Sequence, residues 1–519
     1  MKTRLPSAAL ALMLAGAGAL HAQAPVPPPR ASADAWTVPA TPPPAPISRE
    51  EHARRRAALL ARVPDGVLVV LGADEPEADY MTFAQSSPFR YLTGVVEPGA
   101  ALVVEKSGGR VRETLFVLPR NPAQEVWQGT RLGAERATAL TGIPARTRDG
   151  MEAMLDSALA RTPSLLLVSP LTGDGSATEW LRPDQELAAA LAAKHAGVEP
   201  RWVDDELFAI RAVKSPAELA LLRRAILITV LAQRAAMRAV EPGMNEFEVH
   251  ALIEGTFRRN GAERPGFGSI VGSGPNSTTL HYRAADRFME AGETLVMDVG
   301  ASYRGYSADV TRTVPVGGRF TPEQRAVYEI VLAAQKAAEA EARPGATLGG
   351  ISQTADRVIA TGLARLGLIE APDATFDLAG GGTSPQHRMF YMHGLGHGIG
   401  LDVHDPEPAY PAYGGRFVVG SAFTIEPGIY VRADALDHLA DTPRNRAMIA
   451  KLRPVVQRYR NIGVRIEDDY FITEGGVERV SEGAPREIAE IEALMARPSE
   501  WNAERREGVV EWYRGTGPR

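Results

Sequence analysis

The stretch HGLGHGIGLDVHD, residues 393–405, sets three histidines among four glycines, and its reading decides what the C-terminal half is built from. Each glycine would cost a helix about 1 kcal/mol. His393 and His397 are therefore not a helical metal-binding pair, and no HExxH occurs anywhere in the chain. Taken as an extended segment, its parity is informative. His393, Leu395, His397 and Ile399 fall on one face, and Gly394, Gly396, Gly398 and Gly400 on the other. A bare glycine face lets another backbone or a ligand come close. His404 has the opposite parity and needs a bend beyond Leu401. A phosphate-binding loop is excluded, because there is no GxxxxGK motif and no helical pattern after the glycines. What remains is a metal site or a glycine-rich turn.

Strand-like segments on either side carry acids. LVMDVGA (295–301) and SADVTRT (307–313), joined by a turn at Tyr303-Arg304-Gly305, read as a β-hairpin with Asp298 and Asp309 on its arms. FTIEPGIYV (423–431) and IGVRIEDDYF (462–471) read as strands carrying Glu426 and Glu467. A lone acid in such a run is usually salt-bridged or at a sheet edge, whereas four of them point to a shared site. Converging carboxylates raise one another's pKa and need a cation to stay ionised together. Oxygen donors plus one imidazole suit Mn²⁺ first, with Co²⁺, Fe²⁺ and Zn²⁺ as competitors. His281 in TTLHYRA precedes the hairpin, and alone it reads as a packed histidine as readily as a catalytic one. Arg465, two residues from Glu467, either compensates the acids or binds substrate.

Bulk properties narrow the chemistry further. With no cysteine among 519 residues, disulfides, thiolate metal sites and a cysteine nucleophile are excluded. No GxSxG marks a serine hydrolase. A formal charge of -6 and the lack of a Lys/Arg-rich run argue against nucleic-acid binding.

Along the chain, Lys2 and Arg4 precede an apolar run from Ala8 to Leu20 and a small-residue cleavage site, which predicts a signal peptide over 1–22 and a periplasmic or secreted protein. That run is too short to span a bilayer, and no other stretch qualifies, so no stable membrane insertion is expected. Residues 23–48 form a proline-rich tether, with nine prolines between 24 and 48. An α/β domain is expected over 49–210, opening with a charged helix near Arg49–Arg62. Its strands are GVLVVLG (66–72), ALVVEK (101–106), ETLFVLP (113–119) and SLLLVSP (164–170), with helices near 150–161 and 182–196 between them. A second, α+β domain spans 211–485, beginning at Lys214-Ser215-Pro216 before a helix over 217–240. Within it AVEPGMNEFEVHALIEG (239–255) parallels ARPGATLGGISQTADRV (342–358), with Pro242 and Pro344 102 residues apart. Two related units around an internal pseudo-two-fold are implied. Residues 486–519 form a C-terminal helical extension, and 432–461 a charged, helix-like insertion that either shapes the pocket or decorates the surface.

TTLHYRA, MDVGASYRGYSADVTRT, HGLGHGIGLDVHD, TIEPGIY and VRIEDD, in that order, resemble the pita-bread metallopeptidases of the aminopeptidase P and prolidase branch. PFRYLTGVVEPGAALVV (88–104) and EVWQGTRLGAE (125–135) look like the N-terminal domain of aminopeptidase P, and the resemblance runs from about 50 to 485. It implies an aminopeptidase P-type α/β N-terminal domain followed by a pita-bread catalytic domain. Two divalent ions are implied, held by Asp298, Asp309, His397, Glu426 and Glu467, with Asp309 and Glu467 bridging. Glu426 also relays a proton, His281, His393 and His404 contact the substrate or the tetrahedral intermediate, and Arg465 meets the proline end of the substrate. The reaction implied is hydrolysis of Xaa-Pro bonds through a hydroxide held between the ions, releasing the N-terminal residue of peptides with proline second. The alternatives are an Xaa-Pro dipeptidase (prolidase) and a catalytically inactive peptide-binding relative. Assembly as a homodimer or homotetramer is expected.

Overall fold

The computed structural model describes residues 36–76, 82–170, 182–406 and 415–506. The expected signal peptide and the tether up to residue 35 lie outside the described residues, as do residues 507–519 of the C-terminal extension.

The described end of the tether, 36–48, has neither helix nor strand, but it is docked. Trp36 is half-buried, with the Arg234 guanidinium 4.7 Å from its ring centroid. Ser48 then caps the helix Arg49–Leu60 by accepting from the amide of Glu51.

The β-branched runs of the first half build one six-stranded sheet. Its strands are β1 (Gly66–Leu71), β2 (Ala101–Ser107), β3 (Arg110–Val117), β4 (Ala145–Thr147), β5 (Ser164–Val168) and β6 (Glu199–Trp202), in the order β4-β3-β2-β1-β5-β6. β1 runs antiparallel to β2 and parallel to β5. All of β1 is buried because both faces are covered. Val67, Val69 and Leu71 pack against the helices Met151–Arg161 and Pro183–Lys194, while Leu68 and Val70 join the larger core that continues into the second half.

Two similar units make up that second half. The first opens with the helix Pro216–Ala239, where Ser215 and Glu218 form a capping box; the second opens with Pro322–Glu341, where Thr321 and Gln324 do the same. Gln233 and Gln335, 102 residues apart, play matching parts. Gln233 Nε2 donates to the carbonyls of Met297 and Val310 at 2.9 and 2.8 Å. Gln335 Nε2 donates to those of Ile425 and Ile466, both at 3.1 Å. The same buried amide thus ties each helix to its own pair of acid-bearing segments, as an internal pseudo-two-fold requires.

In the first unit β9 (Thr294–Val299) pairs with β12 (Val310–Pro315), Asp298 facing Thr311. Two short strands, β10 (Ala301–Tyr303) and β11 (Tyr306–Ser307), complete the hairpin turn, and β8 (Ile270–Ser273) flanks β9. β7 (Arg264–Pro265) lies along β10. A small hairpin of β13 (Thr375–Asp377) and β14 (Thr383–Pro385) precedes the second unit's main strands. Those strands depart from the sequence expectation. FTIEPGIYV is two strands, β15 (Ala422–Ile425) and β16 (Gly428–Val431); IGVRIEDDYF is β17 (Ile462–Arg465) and the start of β18 (Asp468–Thr473). β15 pairs with β18, which also pairs with β19 (Gly476–Arg479), and β16 pairs with β17. Proline at 427 has no amide hydrogen for a ladder, and both chains change sheet at the same level. Glu426 and Glu467 therefore sit at strand breaks rather than inside strands.

The 432–461 insertion forms the helix Pro443–Tyr459, whose Met448, Leu452 and Val456 are buried. The extension contributes the helices Ile488–Met495 and Glu500–Glu504.

Candidate metal centre

Residues 395–399 lie along β15. Glu426 N donates to Leu395 O at 2.7 Å, Thr424 N to His397 O at 2.9 Å and Ile399 N to Ala422 O at 3.1 Å. A Cβ at Gly396 would stand 2.1 Å from the carbonyl oxygen of Thr424, so only glycine allows this backbone approach. Gly394 differs, with open space where its Cβ would be. The single face expected from strict alternation is not kept. Leu395 and Ile399 are core residues, whereas His393 and His397 line a cavity, because the chain bends between them. His404 reaches the same cavity after the bend at 401–404, its ring centroid 4.1 Å from that of His397.

This cavity, of about 570 Å³, is lined by all nine residues singled out from the sequence: Asp298, Asp309, His397, Glu426, Glu467, His281, His393, His404 and Arg465. Phe267, Ile270 and Leu280 supply an apolar wall. Among the described residues, none of the 432–461 insertion lines it.

At the floor, single donor atoms of Asp309, His397 and Glu467 lie within 4.8 Å of one another. His397 Nε2 is 3.6 Å from Asp309 Oδ2 and 3.4 Å from Glu426 Oε1. His397 Nδ1 lies 3.1 Å from the carbonyl of Gly398, which can only accept, so the proton resides on Nδ1 and the Nε2 lone pair faces the acids. Thr311 Oγ1 donates to Glu467 Oε2 at 2.7 Å, and the Asp309 amide donates to Asp469 Oδ2 at 3.1 Å. Asp298 accepts from Arg465 Nη2 at 2.5 Å.

What the acids lack is as telling. Asp298 Oδ1, Asp309 Oδ1, Glu467 Oε1 and Asp469 Oδ1 are buried without a hydrogen-bond partner. One such oxygen is costly, and three of them belong to residues that line the cavity (Asp298, Asp309 and Glu467), which marks a place for a cation. Burial first, then the neighbouring acids, holds the carboxyls of Asp309 and Glu467 well above their usual range and pushes Glu426 up to about 8. Burial lowers His397 to about 4, helped by His404, and His393 to about 3, helped by Arg465. Both imidazoles are neutral at pH 7, as a metal ligand or hydrogen-bond acceptor must be. The donor set, carboxylates with one imidazole, fits a divalent cation.

Arg465 is 3% exposed and fully engaged within the protein. Besides Asp298, its Nη1 donates to Tyr430 Oη at 2.8 Å and its Nε to Thr311 Oγ1 at 3.3 Å. Tyr430 Oη in turn lies 2.8 Å from His393 Nε2. This geometry favours charge compensation over the substrate contact expected of Arg465. Tyr430, Thr311 and Asp469 were not singled out from the sequence. Asp469 could have been, as a third acid in the EDD run; Tyr430 and Thr311 look like ordinary strand residues.

The profile of metallopeptidase family M24 matches residues 220–474, and that of the aminopeptidase P N-terminal domain matches 52–167. The Xaa-Pro aminopeptidases of Escherichia coli K12 and Haemophilus influenzae are each 34% identical, over 86% of this chain and 98% of their own lengths. Among solved structures, proline aminopeptidase P II from Yersinia pestis superposes with a TM-score of 0.73 at 33% identity, covering 87% of this chain and all of that one. A variant of E. coli aminopeptidase P in complex with substrate does so with a TM-score of 0.72 at 32% identity, covering 87% and 99%. With an N-terminal α/β domain, a pita-bread catalytic domain and a carboxylate–imidazole centre, the chain belongs to metallopeptidase family M24, in its aminopeptidase P branch.

Proposed function

We propose that this metallopeptidase hydrolyses Xaa-Pro bonds at peptide N-termini, releasing the residue before proline. The observation that carries the reading is the cavity floor, where partnerless carboxylate oxygens and the neutral His397 Nε2 converge below an apolar wall. Asp298, Asp309, His397, Glu426 and Glu467 would hold two divalent ions, with Mn²⁺ the best match to an oxygen-rich set. Such ions supply Lewis-acid activation of water and of the scissile carbonyl.

The chain's own residues do the rest. Glu426 has one oxygen 3.4 Å from His397 Nε2 and the other 3.9 Å from His393 Nδ1. From there it takes a proton from the incoming water and delivers it to the proline nitrogen as the bond breaks. That nitrogen carries no hydrogen in the substrate, so the site needs no acceptor for one. His281 and His404, on the cavity wall, hydrogen-bond the carbonyl oxygen as charge develops on it. Arg465 pairs with Asp298 and holds Tyr430 oriented.

Export to the periplasm through residues 1–22 and assembly as a homodimer or homotetramer belong to the same proposal; N-terminal sequencing and sedimentation test them. No described helix is long and apolar enough to cross a membrane. For the reaction, Xaa-Pro-Yaa and Xaa-Pro peptides are compared with the Mn²⁺-loaded protein. Cleavage of the tripeptide supports the aminopeptidase; cleavage of the dipeptide alone makes the enzyme a prolidase instead.

A further inference from the structure

We propose that Arg283 binds a substrate carboxylate, either the C-terminus of a short peptide or an acidic side chain after the proline; the inference rests on the Xaa-Pro reading above. Two arginines line the cavity. Arg465 is buried, and Asp298, Tyr430 and Thr311 occupy its nitrogens. Arg283 is exposed, and among the described residues no carboxylate pairs with it. Its guanidinium lies 3.5 Å from where a Cβ of Gly268 would stand, beside the wall formed by Phe267 and Ile270. A planar fork there presents paired donors that match a carboxylate.

The stretch carrying Arg283 is fixed in place. Glu246, fully buried, accepts from Ser273 N at 2.6 Å, Ser273 Oγ at 2.7 Å and Arg287 N at 3.1 Å. Tyr282 Oη lies 3.0 Å from Glu246 and 3.1 Å from Asp286. Arg283 therefore projects from a stretch anchored at Tyr282 and Arg287, which limits the backbone entropy lost on binding.

The cavity is electrically polarised. Its floor is acidic and draws the ammonium of a peptide N-terminus, while Arg283 offers positive charge to whatever anionic group the rest of the peptide carries. In an extended Xaa-Pro-Yaa peptide the terminal carboxylate follows the scissile carbonyl by two residues, about 7 Å. A cavity of about 570 Å³ has room for a peptide of this size.

The test compares kcat/KM for Xaa-Pro-Yaa as free acid and as C-terminal amide, and for amides with Asp or Asn as Yaa. The unaltered protein should favour the carboxylate-bearing peptide about fivefold in one of the two pairs, mainly through KM, as expected for a solvent-accessible charge-assisted pair. An acid-to-amide preference assigns the terminal carboxylate, and an Asp-to-Asn preference among amides assigns the side chain. In Arg283→Ala the ratio should fall to about one, and Arg283→Glu should turn the preference toward lysine at Yaa. Ratios in Arg283→Ala equal to those of the unaltered protein, with Xaa-Pro bonds still cut, would overturn this inference alone. If the unaltered protein cuts no Xaa-Pro bond, the proposed function fails and Arg283's role falls with it.

Discussion

His397 Nε2 lies 3.6 Å from Asp309 Oδ2, although the two residues come from different repeats of the catalytic domain. Glu426 Oε1 lies 3.4 Å from the same nitrogen, so a third residue meets the pair. Asp309 Oδ1 is without a partner, and the opposite nitrogen of His397 is already used by Gly398 O. Without a cation, a proton on the Asp309 carboxyl relieves this crowding; a divalent ion between the two would replace it.

Asp309→Asn and His397→Ala should each lose bound metal and at least about a hundredfold in activity, more than an outer-sphere contact is worth. The far-UV circular dichroism should stay unchanged. Metal content by atomic emission, measured alongside turnover, checks this; a variant that keeps both its metal and its rate contradicts the assignment.

Acidity and stability should be coupled through the same carboxyls. Asp309, Glu426 and Glu467 have pKa values raised in the fold, Glu426 to about 8 from an ordinary 4.5. A raised carboxyl contributes stability that is complete below the unfolded pKa and is lost as pH rises through the folded one. In chelator, Tm should therefore fall between pH 7 and pH 8, above the interval in which the lowered pKa values of His393 and His397 add stability as pH rises. Added Mn²⁺ displaces protons from these groups, so the rise in Tm it produces should grow over the same interval. Thermal melts with and without Mn²⁺ at the two pH values decide it: an increment independent of pH counts against a carboxylate-held cation.

Gly396→Ala should destabilise the protein by about 1–3 kcal/mol, since its Cβ would meet Thr424 O at 2.1 Å. Gly394→Ala has open space and should be nearly neutral. Urea denaturation of the two variants provides the comparison, and equal midpoints would refute the close-approach argument.

The legibility of the fold and site followed how local each signal was. The helix at 216 was readable because Ser215, Pro216 and Glu218 form a local capping pattern. The bare glycine face was readable too, but which glycine needed it was not: Gly396 meets Thr424 O, a backbone atom 28 residues away in sequence. The acids at 426 and 467 stood out among apolar neighbours, yet their position at strand breaks depends on β16 and β18 leaving for different sheets. That exchange is tertiary and has no periodicity. Tyr430 was invisible for a similar reason, since only the approach of Arg465 and His393 gives its hydroxyl a purpose.

The two halves of the chain meet at a buried charge cluster beside His404. Arg211 Nη2 donates to Asp402 Oδ2 at 2.7 Å and also pairs with Asp405; Lys214 Nζ reaches Asp405 Oδ2 at 2.7 Å, and Ser87 Oγ donates to Asp402 Oδ1 at 2.6 Å. Arg211→Met would leave buried Asp402 with no cation and Asp405 with Lys214 alone, and should cost about 3–5 kcal/mol. The urea midpoint measures it, and a loss below about 1 kcal/mol, the level of an exposed pair, would mean the cluster is not coupled as described.

This centre is expected to cut the bond before proline. The most direct measurement incubates the purified, Mn²⁺-loaded protein with an Xaa-Pro-Yaa tripeptide and follows products by chromatography, with and without chelator. Free Xaa and intact Pro-Yaa should form, and chelator should abolish both. A tripeptide left whole by the metal-loaded protein, or cleaved equally well in chelator, would contradict it.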